Sequence, residues 1–125
     1  MEENLKVLIA EDSSVIQNLT KKILQMQNYE ISSVKNGKQV LDYMENNECD
    51  VILMDINMPI MDGMECSQNI RALSNVEKAN TPIIAITGNA KNYSENDFKN
   101  AGINAFLQKP LNFDRLVEMV KKYTS

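Results

Sequence analysis

Short apolar runs alternate with segments of helical periodicity along the whole chain. The apolar runs predict five strands, at Leu5–Ala10, Tyr29–Val34, Val51–Met54, Pro82–Ile86 and Ala105–Leu107. Most of these runs are continuously apolar, which is typical of strands buried on both faces. The pattern therefore predicts a parallel sheet covered by helices on both sides.

The segments between the runs carry apolar residues three or four positions apart, as amphipathic helices do. The first, Val15–Met26, is predicted to bury a stripe composed of Ile16, Leu19, Ile23 and Met26. Four more helices are predicted through Val40 and Met44, around Ile70 and Leu73, at Tyr93–Ala101 and at Asn112–Tyr123. Gly102 is expected to end the fourth helix, and Asn112 to cap the fifth. Five strands and five helices predict an α/β fold, a doubly wound five-stranded parallel sheet, in one domain over residues 1–125.

The charge and residue composition of the chain exclude several classes of function. The 125 residues carry a net charge of −4, which argues against direct nucleic-acid binding. No apolar run approaches the roughly 18 residues of a membrane-spanning helix, so we expect a cytoplasmic protein without membrane insertion. The chain has no histidine, which excludes Ser–His and Cys–His nucleophiles, histidine metal sites and a phosphohistidine donor role. Cys49 and Cys66 are too far apart for a CxxC motif and are expected to be reduced thiols.

Five chemistry-bearing residues follow the predicted strands. Glu11 and Asp12 come after the first, Asp55 after the third, Thr87 after the fourth and Lys109 after the fifth. The carboxyl ends of parallel strands meet at one edge of the sheet, so these side chains are expected to converge. Three converging carboxylates require a cation, and hard oxygen ligands suit Mg²⁺. Asp55 is the best candidate for a carboxylate nucleophile that forms an acyl phosphate.

Four stretches carry a family resemblance: LIAEDS at 8–13, DVILMDINMPIMDGME at 50–65, PIIAITGNA at 82–90 and FLQKP at 106–110. The chain resembles the receiver domain of two-component response regulators over essentially its whole length. The resemblance implies that Asp55 accepts a phosphoryl group in a phosphorelay. It also implies an Mg²⁺ site formed by Glu11, Asp12, Asp55 and the backbone carbonyl of Asn57, with Asp12 the more direct ligand of the acidic pair.

The same resemblance implies a switch. Thr87 and Lys109 are expected to contact the phosphoryl group, and the Lys109–Pro110 peptide bond is expected to be cis. Thr87 would move toward the phosphoryl group while Phe106 rotates inward behind it, and Phe106 lacks the hydroxyl of a tyrosine. Asn57 and Asn89 lie where family members vary, and neither is a general base, so slow or ordinary self-dephosphorylation is expected. Beyond that self-catalysis we expect no enzyme activity.

The resemblance also implies partners. A histidine kinase or histidine phosphotransfer protein would donate the phosphoryl group, and a downstream protein target would read the result. Val15, near the acidic pair, is a candidate contact for the donor, and Phe98 and Phe106 for the target. The chain ends soon after the last predicted helix, so no output domain is expected, and a stand-alone receiver is favoured. A receiver from a larger hybrid histidine kinase and an unphosphorylated docking module are the alternatives.

Two other protein classes share part of this pattern. Haloacid-dehalogenase-type hydrolases also use a strand-ending aspartate, but they need a second aspartate as general acid and base where this chain has Asn57. A flavodoxin-like cofactor binder needs a phosphate-cradling loop after the first strand, where Glu11 and Asp12 would repel a phosphate. Both classes are less consistent with the sequence than a receiver.

Overall fold

The computed structural model describes residues 4–88 and 93–125, and the sheet lies within these ranges. Five parallel strands lie in the spatial order β2-β1-β3-β4-β5. Their bounds are β1 Lys6–Ala10, β2 Glu30–Val34, β3 Val51–Asp55, β4 Ile83–Thr87 and β5 Ala105–Gln108. The predicted fold class is confirmed. Asp55 and Thr87 are the last residues of their strands rather than the first residues of the loops that follow.

The described ranges contain six helices, one more than predicted. Their bounds are α1 Ser14–Gln25, α2 Gly37–Asn46, α3 Gly63–Arg71, α4 Val76–Ala79, α5 Glu95–Asn100 and α6 Phe113–Thr124. The unpredicted α4 is one turn long and buries none of its residues, so it has no apolar stripe to reveal it. The side chain of Asn75 caps it by accepting a hydrogen bond from the Lys78 N–H at 3.1 Å. No helix in this part of the chain is long and apolar enough to cross a membrane.

Successive residues of the central strands point into two separate cores. In β3, Ile52 and Met54 pack on one face of the sheet, and Val51 and Leu53 pack on the other. The first core is completed by side chains of α2, α3 and α5, and the second by side chains of α1 and α6. All five residues of β3 are buried, because helices cover both faces of the sheet.

The buried stripe predicted for α1 is wrong in part. Leu19 is 46% exposed and Met26 is 80% exposed, whereas Gln17, Thr20 and Leu24 face the sheet. The two polar residues tolerate burial because their side chains are hydrogen-bonded to backbone carbonyls. Ile16 and Ile23 are half-buried, so the apolar pattern displaces the buried stripe in part, because it leaves out Gln17 and Thr20.

The predicted caps and thiols are as expected. Gly102 has a φ of 87° just after α5, a left-handed conformation that favours glycine. Asn112 caps α6 by accepting a hydrogen bond from the Arg115 N–H at 3.1 Å. Cys49 and Cys66 are both free, and burial raises the pKa of each thiol to about 12.

Candidate functional site

Three carboxylates meet at the carboxyl ends of β1 and β3. Ala10 pairs in register with Met54, so the next residue of each strand, Glu11 and Asp55, reaches the same edge. One carboxylate oxygen from each of Glu11, Asp12 and Asp55 lies within 4.8 Å of the other two. Glu11 and Asp55 are buried and Asp12 is exposed, so the cluster opens to solvent on the Asp12 side. The predicted convergence of these carboxylates is present in the structure.

Lys109 places its ammonium group against two of these carboxylates. Its Nζ lies 3.3 Å from Glu11 Oε1 and 3.3 Å from Asp55 Oδ2. The Lys109 backbone N–H donates to the Thr87 carbonyl at 2.8 Å, which fixes the end of β5 against β4, and the Lys109–Pro110 bond is cis. Burial lowers the pKa of Lys109, but the charges of Asp55 and Glu11 outweigh that effect, and the net pKa is raised. The ammonium group therefore stays protonated at neutral pH.

Glu11 is held by neighbours that the sequence did not reveal. Its Oε2 accepts a hydrogen bond from the Ser13 N–H at 3.0 Å. The buried Gln17 side chain donates to the backbone carbonyls of Glu11, at 3.1 Å, and Val34, at 2.9 Å, and so ties the ends of β1 and β2 together. Burial raises the pKa of Glu11, the Ser13 N–H lowers it, Asp55 raises it and Lys109 lowers it, with a net increase. The negative charges of Glu11 and Asp55 would also favour the binding of a further cation at this edge.

The loop after β3 holds Asp55 through a tight turn. Asp55 Oδ1 accepts a hydrogen bond from the Asn57 N–H at 3.2 Å. The chain then returns so closely that a Cβ on Gly63 would lie 2.5 Å from the Asp55 carbonyl oxygen. In the loop between Asp55 and Gly63, the Met61 N–H donates to the Pro59 carbonyl at 2.7 Å. This contact closes a γ-turn whose central residue, Ile60, has a φ of 71°. Backbone strain is thus located in the loop that follows Asp55.

Thr87 and Phe106 lie on the β4–β5 side of the site. Thr87 is 1% exposed and ends β4 in register with Gln108. Phe106 is half-buried and lies in register with Ala85, two residues before Thr87 on the same face of the sheet. The Phe106 ring stacks on the ring of Phe98 from α5, with centroids 5.0 Å apart and an interplanar angle of 26°. This stack was not predicted, because the sequence does not show which face of α5 packs on β5.

Val15 lies beside an apolar groove next to the carboxylates. Val15 is 78% exposed. The groove has a volume of about 230 Å³ and is lined by Val15, Ile16, Leu19, Lys109, Pro110, Leu111 and Phe113. Of the other residues singled out from the sequence, Asn57 is exposed, and Asn89 lies outside the described ranges.

The arrangement fits the chemistry expected of it. Two buried carboxylates, Asp55 and Glu11, share the Lys109 ammonium group, and the third, Asp12, is exposed to solvent beside them. Oxygen ligands in this number leave coordination positions for water and for phosphate oxygens. The site can therefore hold a divalent cation and a doubly charged phosphoryl group while keeping the total charge low.

Comparisons with known proteins agree on one family. The family model described as response regulator receiver domain matches residues 7–121. The chain is 33% identical to two-component response regulator 24 of Arabidopsis thaliana, covering 97% of this chain and 85% of that protein. It is 30% identical to the polar-differentiation response regulator DivK of Brucella anthropi, covering 94% of each. It is also 37% identical to hybrid signal transduction histidine kinase I of Dictyostelium discoideum, of which it spans only 7%.

Solved structures show the same similarity. The receiver domain of a Pseudomonas aeruginosa sensor histidine kinase matches with a TM-score of 0.87 and 30% identity over 98% of both chains, and it was solved with a magnesium ion coordinated in its active-site cleft. A chemotaxis response regulator of Vibrio cholerae matches with a TM-score of 0.87 and 28% identity, covering 97% of this chain and 99% of that one.

Proposed function

Because this chain belongs to the response regulator receiver family, whose members are phosphorylation switches in two-component signalling, we propose that Asp55 is its phosphoacceptor. The observation that carries the proposal is the meeting of three carboxylates within 4.8 Å, with the Lys109 ammonium group 3.3 Å from two of them. We choose Asp55 over Glu11 because it ends β3, the middle strand of the sheet, where it contacts Lys109 and is fixed by the Asn57 N–H.

In the proposed reaction, an Asp55 carboxylate oxygen attacks the phosphorus of a phosphohistidine on the donor. A phosphorus–oxygen bond forms as the phosphorus–nitrogen bond breaks, and the leaving imidazole takes a proton from solvent. The Lys109 ammonium group neutralises part of the phosphoryl charge and donates a hydrogen bond to a phosphoryl oxygen. The Thr87 hydroxyl donates a second. Catalysis is then mostly positioning and charge neutralisation, and the chain promotes only its own phosphorylation and dephosphorylation.

The residues present fit a magnesium ion. Glu11, Asp12 and Asp55 would hold it, together with the backbone carbonyl of Asn57, and the observation in favour is the carboxylate cluster itself. Asp12 is exposed and so reaches a hydrated ion most easily, whereas Glu11 is already engaged with Ser13 and Lys109. When bound, the ion would offset negative charge on the carboxylates and the phosphoryl oxygens.

We assign the donor to the face that contains Val15. A histidine kinase or histidine phosphotransfer protein must bring its phosphohistidine to the Asp12 side, where the cluster opens to solvent. The apolar groove beside Val15 lies next to Lys109 and offers a contact for an apolar helix of such a donor. A downstream protein would bind the face around Phe98 and Phe106, and residues 1–125 would act as one receiver domain.

The test is the intact mass of the protein after incubation with acetyl phosphate, with and without Mg²⁺. We expect a metal-dependent gain of one phosphoryl group that is absent in Asp55→Asn. Asp42→Asn, which alters an exposed aspartate of α2, is the matched control and should gain the same mass as the parent. A phosphoryl gain in Asp55→Asn equal to that of the control would refute the assignment of Asp55. No gain in any of the three proteins would favour the docking module, or a site that accepts a phosphoryl group only from its own donor protein.

A further inference from the structure

Lys35 brings a second ammonium group to the edge of the sheet that carries the carboxylates. It follows β2, whose last residue, Val34, pairs in register with Ala10 of β1. Glu11 follows Ala10, so Lys35 and Glu11 leave neighbouring strands at the same level. Lys109 follows β5, so the two lysines leave the two outermost strands, and the strands that carry the carboxylates lie between them.

The backbone and the side chain of Lys35 are both held beside the first helix. The carbonyl of the preceding residue, Val34, accepts a hydrogen bond from the buried Gln17 side chain of α1 at 2.9 Å. The Lys35 Nζ donates to the Ser14 Oγ at 2.9 Å. Ser14 is the first residue of α1, two positions after Asp12, and both residues are exposed. The ammonium group therefore lies at the start of α1, close to the side where the carboxylate cluster opens to solvent.

Within residues 4–88 and 93–125, Lys35 forms no ion pair with a carboxylate. The ion pairs in these ranges are both formed by Lys109, which Glu11 and Asp55 share. Lys35 is exposed, and the hydrogen-bond partner of its ammonium group is a neutral hydroxyl. An exposed charge of this kind acts on an anion that is still in solvent, because its field extends beyond its own contacts.

We propose that Lys35 is a specificity-determining residue that attracts the dianionic phosphoryl group of the donor to the site. This group carries close to two negative charges and must approach past the exposed carboxylate of Asp12. Lys35 offsets that repulsion during the approach, whereas Lys109 is engaged with the two buried carboxylates. The same charge disfavours a divalent cation, so Lys35 has opposite effects on the donor and on Mg²⁺. This inference rests on the proposed phosphorylation of Asp55, and it adds the donor's charge as a property that the site selects.

The experiment compares phosphorylation of the whole chain by acetyl phosphate and by phosphoramidate, whose ammonium group offsets one of its negative charges. Each transfer forms a phosphorus–oxygen bond to Asp55, and acetate leaves in the first case and ammonia in the second. At a charge separation of about 10 Å in water, Coulomb's law gives about a twofold change for each charge. At low ionic strength, Lys35→Met should therefore raise KM about fourfold for acetyl phosphate and about twofold for phosphoramidate, with kcat unchanged. Both effects should disappear at about 0.3 M salt, where the Debye length is shorter than this separation.

Two variants control for the net charge and for a structural role of the side chain. Lys22→Met makes the same charge change at an exposed residue in the last turn of α1 and should match the parent. Lys35→Arg keeps the charge and should retain most of the parent's kcat/KM. A loss in Lys35→Met that is confined to kcat, is equal for the two donors, or is equal in Lys22→Met would overturn the proposal.

A calorimetric titration with Mg²⁺ tests the same charge without phosphorylation. We expect Lys35→Met to bind Mg²⁺ about fourfold more tightly than the parent at low ionic strength, because the ammonium group no longer repels the two charges of the ion. Unchanged or weaker binding would overturn the proposal. If the parent gained no phosphoryl group at Asp55, the proposed function would be refuted, and this titration would still report on Lys35. The two failures are thereby distinguished.

Discussion

Ile60 offers a quantitative test of the backbone strain in the loop that follows Asp55. It is a β-branched residue with a φ of 71°, and its side chain is 78% exposed. The other non-glycine residue with a positive φ in the described ranges is Asn28, and asparagine is enriched in that conformation. Replacing Ile60 with asparagine should therefore relieve strain without losing an important contact.

The magnitude follows from two terms. The left-handed conformation costs an L-residue about 1 to 2 kcal/mol, most of which asparagine avoids through local hydrogen bonding. The buried fifth of the isoleucine side chain is worth about 0.5 kcal/mol, given about 2 kcal/mol for complete burial. We expect Ile60→Asn to raise the free energy of unfolding by about 1 kcal/mol, or Tm by about 4 °C at this chain length. Ile60→Gly should gain less, because glycine costs about 0.5 to 1 kcal/mol of unfolded-state entropy.

The assay is urea unfolding followed by circular dichroism, with the m-value checked for constancy across the series. Ile60→Val keeps the β-branched side chain and is the matched control, expected within about 0.5 kcal/mol of the parent. If Ile60→Asn were no more stable than Ile60→Val, the γ-turn would store no strain and the reasoning would fail.

Three further predictions concern the site and its surroundings. Gly63→Ala should lower the free energy of unfolding by about 2 kcal/mol in a thermal unfolding measurement, because its Cβ would meet the Asp55 carbonyl oxygen at 2.5 Å. Gly88→Ala is the control and should be neutral, since the nearest atom to its Cβ would lie at 3.8 Å. Equal losses in the two variants would contradict this prediction. Lys109→Met should lower the free energy of unfolding by about 2 kcal/mol in EDTA, because the Asp55 carboxylate is left without its ammonium partner. Much of this stability should return when Mg²⁺ is added. Urea midpoints that do not respond to Mg²⁺ would count against this prediction. The Cys66 thiol, with a pKa raised to about 12 chiefly by burial, should resist a disulfide reagent at pH 8 until urea unfolds the chain. Because the folded pKa lies above the ordinary value of 9.0, the Cys66 thiol stabilises the fold below pH 9 and loses that contribution as the pH rises toward 12. Cys66→Ala should therefore lose less stability than the parent over this range, because only the similarly shifted Cys49 thiol remains.

The sequence predicts those site residues whose position follows from the ends of the strands. Glu11, Asp55 and Lys109 each follow or end a continuous apolar run, and parallel strands necessarily bring such positions to one edge. The register that puts Lys109 against both carboxylates also depends on the chain's hydrogen bond to Thr87, which no spacing reveals. The carboxylate cluster was therefore expected, and its ion pairs were not.

Other features escaped prediction because they depend on packing between distant segments. Gln17 is buried because two carbonyls accept its hydrogen bonds, and a hydropathy pattern treats it as a surface residue. The Phe98–Phe106 stack joins a helix and a strand whose relative placement is set by the Arg71 hydrogen bonds. Helix α4 depends on an asparagine cap and has no stripe. Local periodicity carries none of this information.

The two cores of the sheet have a consequence for how signalling specificity can change. The groove beside Val15 involves Leu111 and Phe113, which pack on the core of α1 and α6, whereas the stacked rings of Phe98 and Phe106 pack on the core of α2, α3 and α5. The sheet is a single layer between the two cores, and the side chains of neighbouring apolar residues in β3 pack into different cores. With the donor and the downstream protein on the two faces proposed for them, substitutions that change one partner would leave the packing behind the other unchanged. On that proposal, the specificity for each partner could change in a separate evolutionary step while Asp55 stays the same.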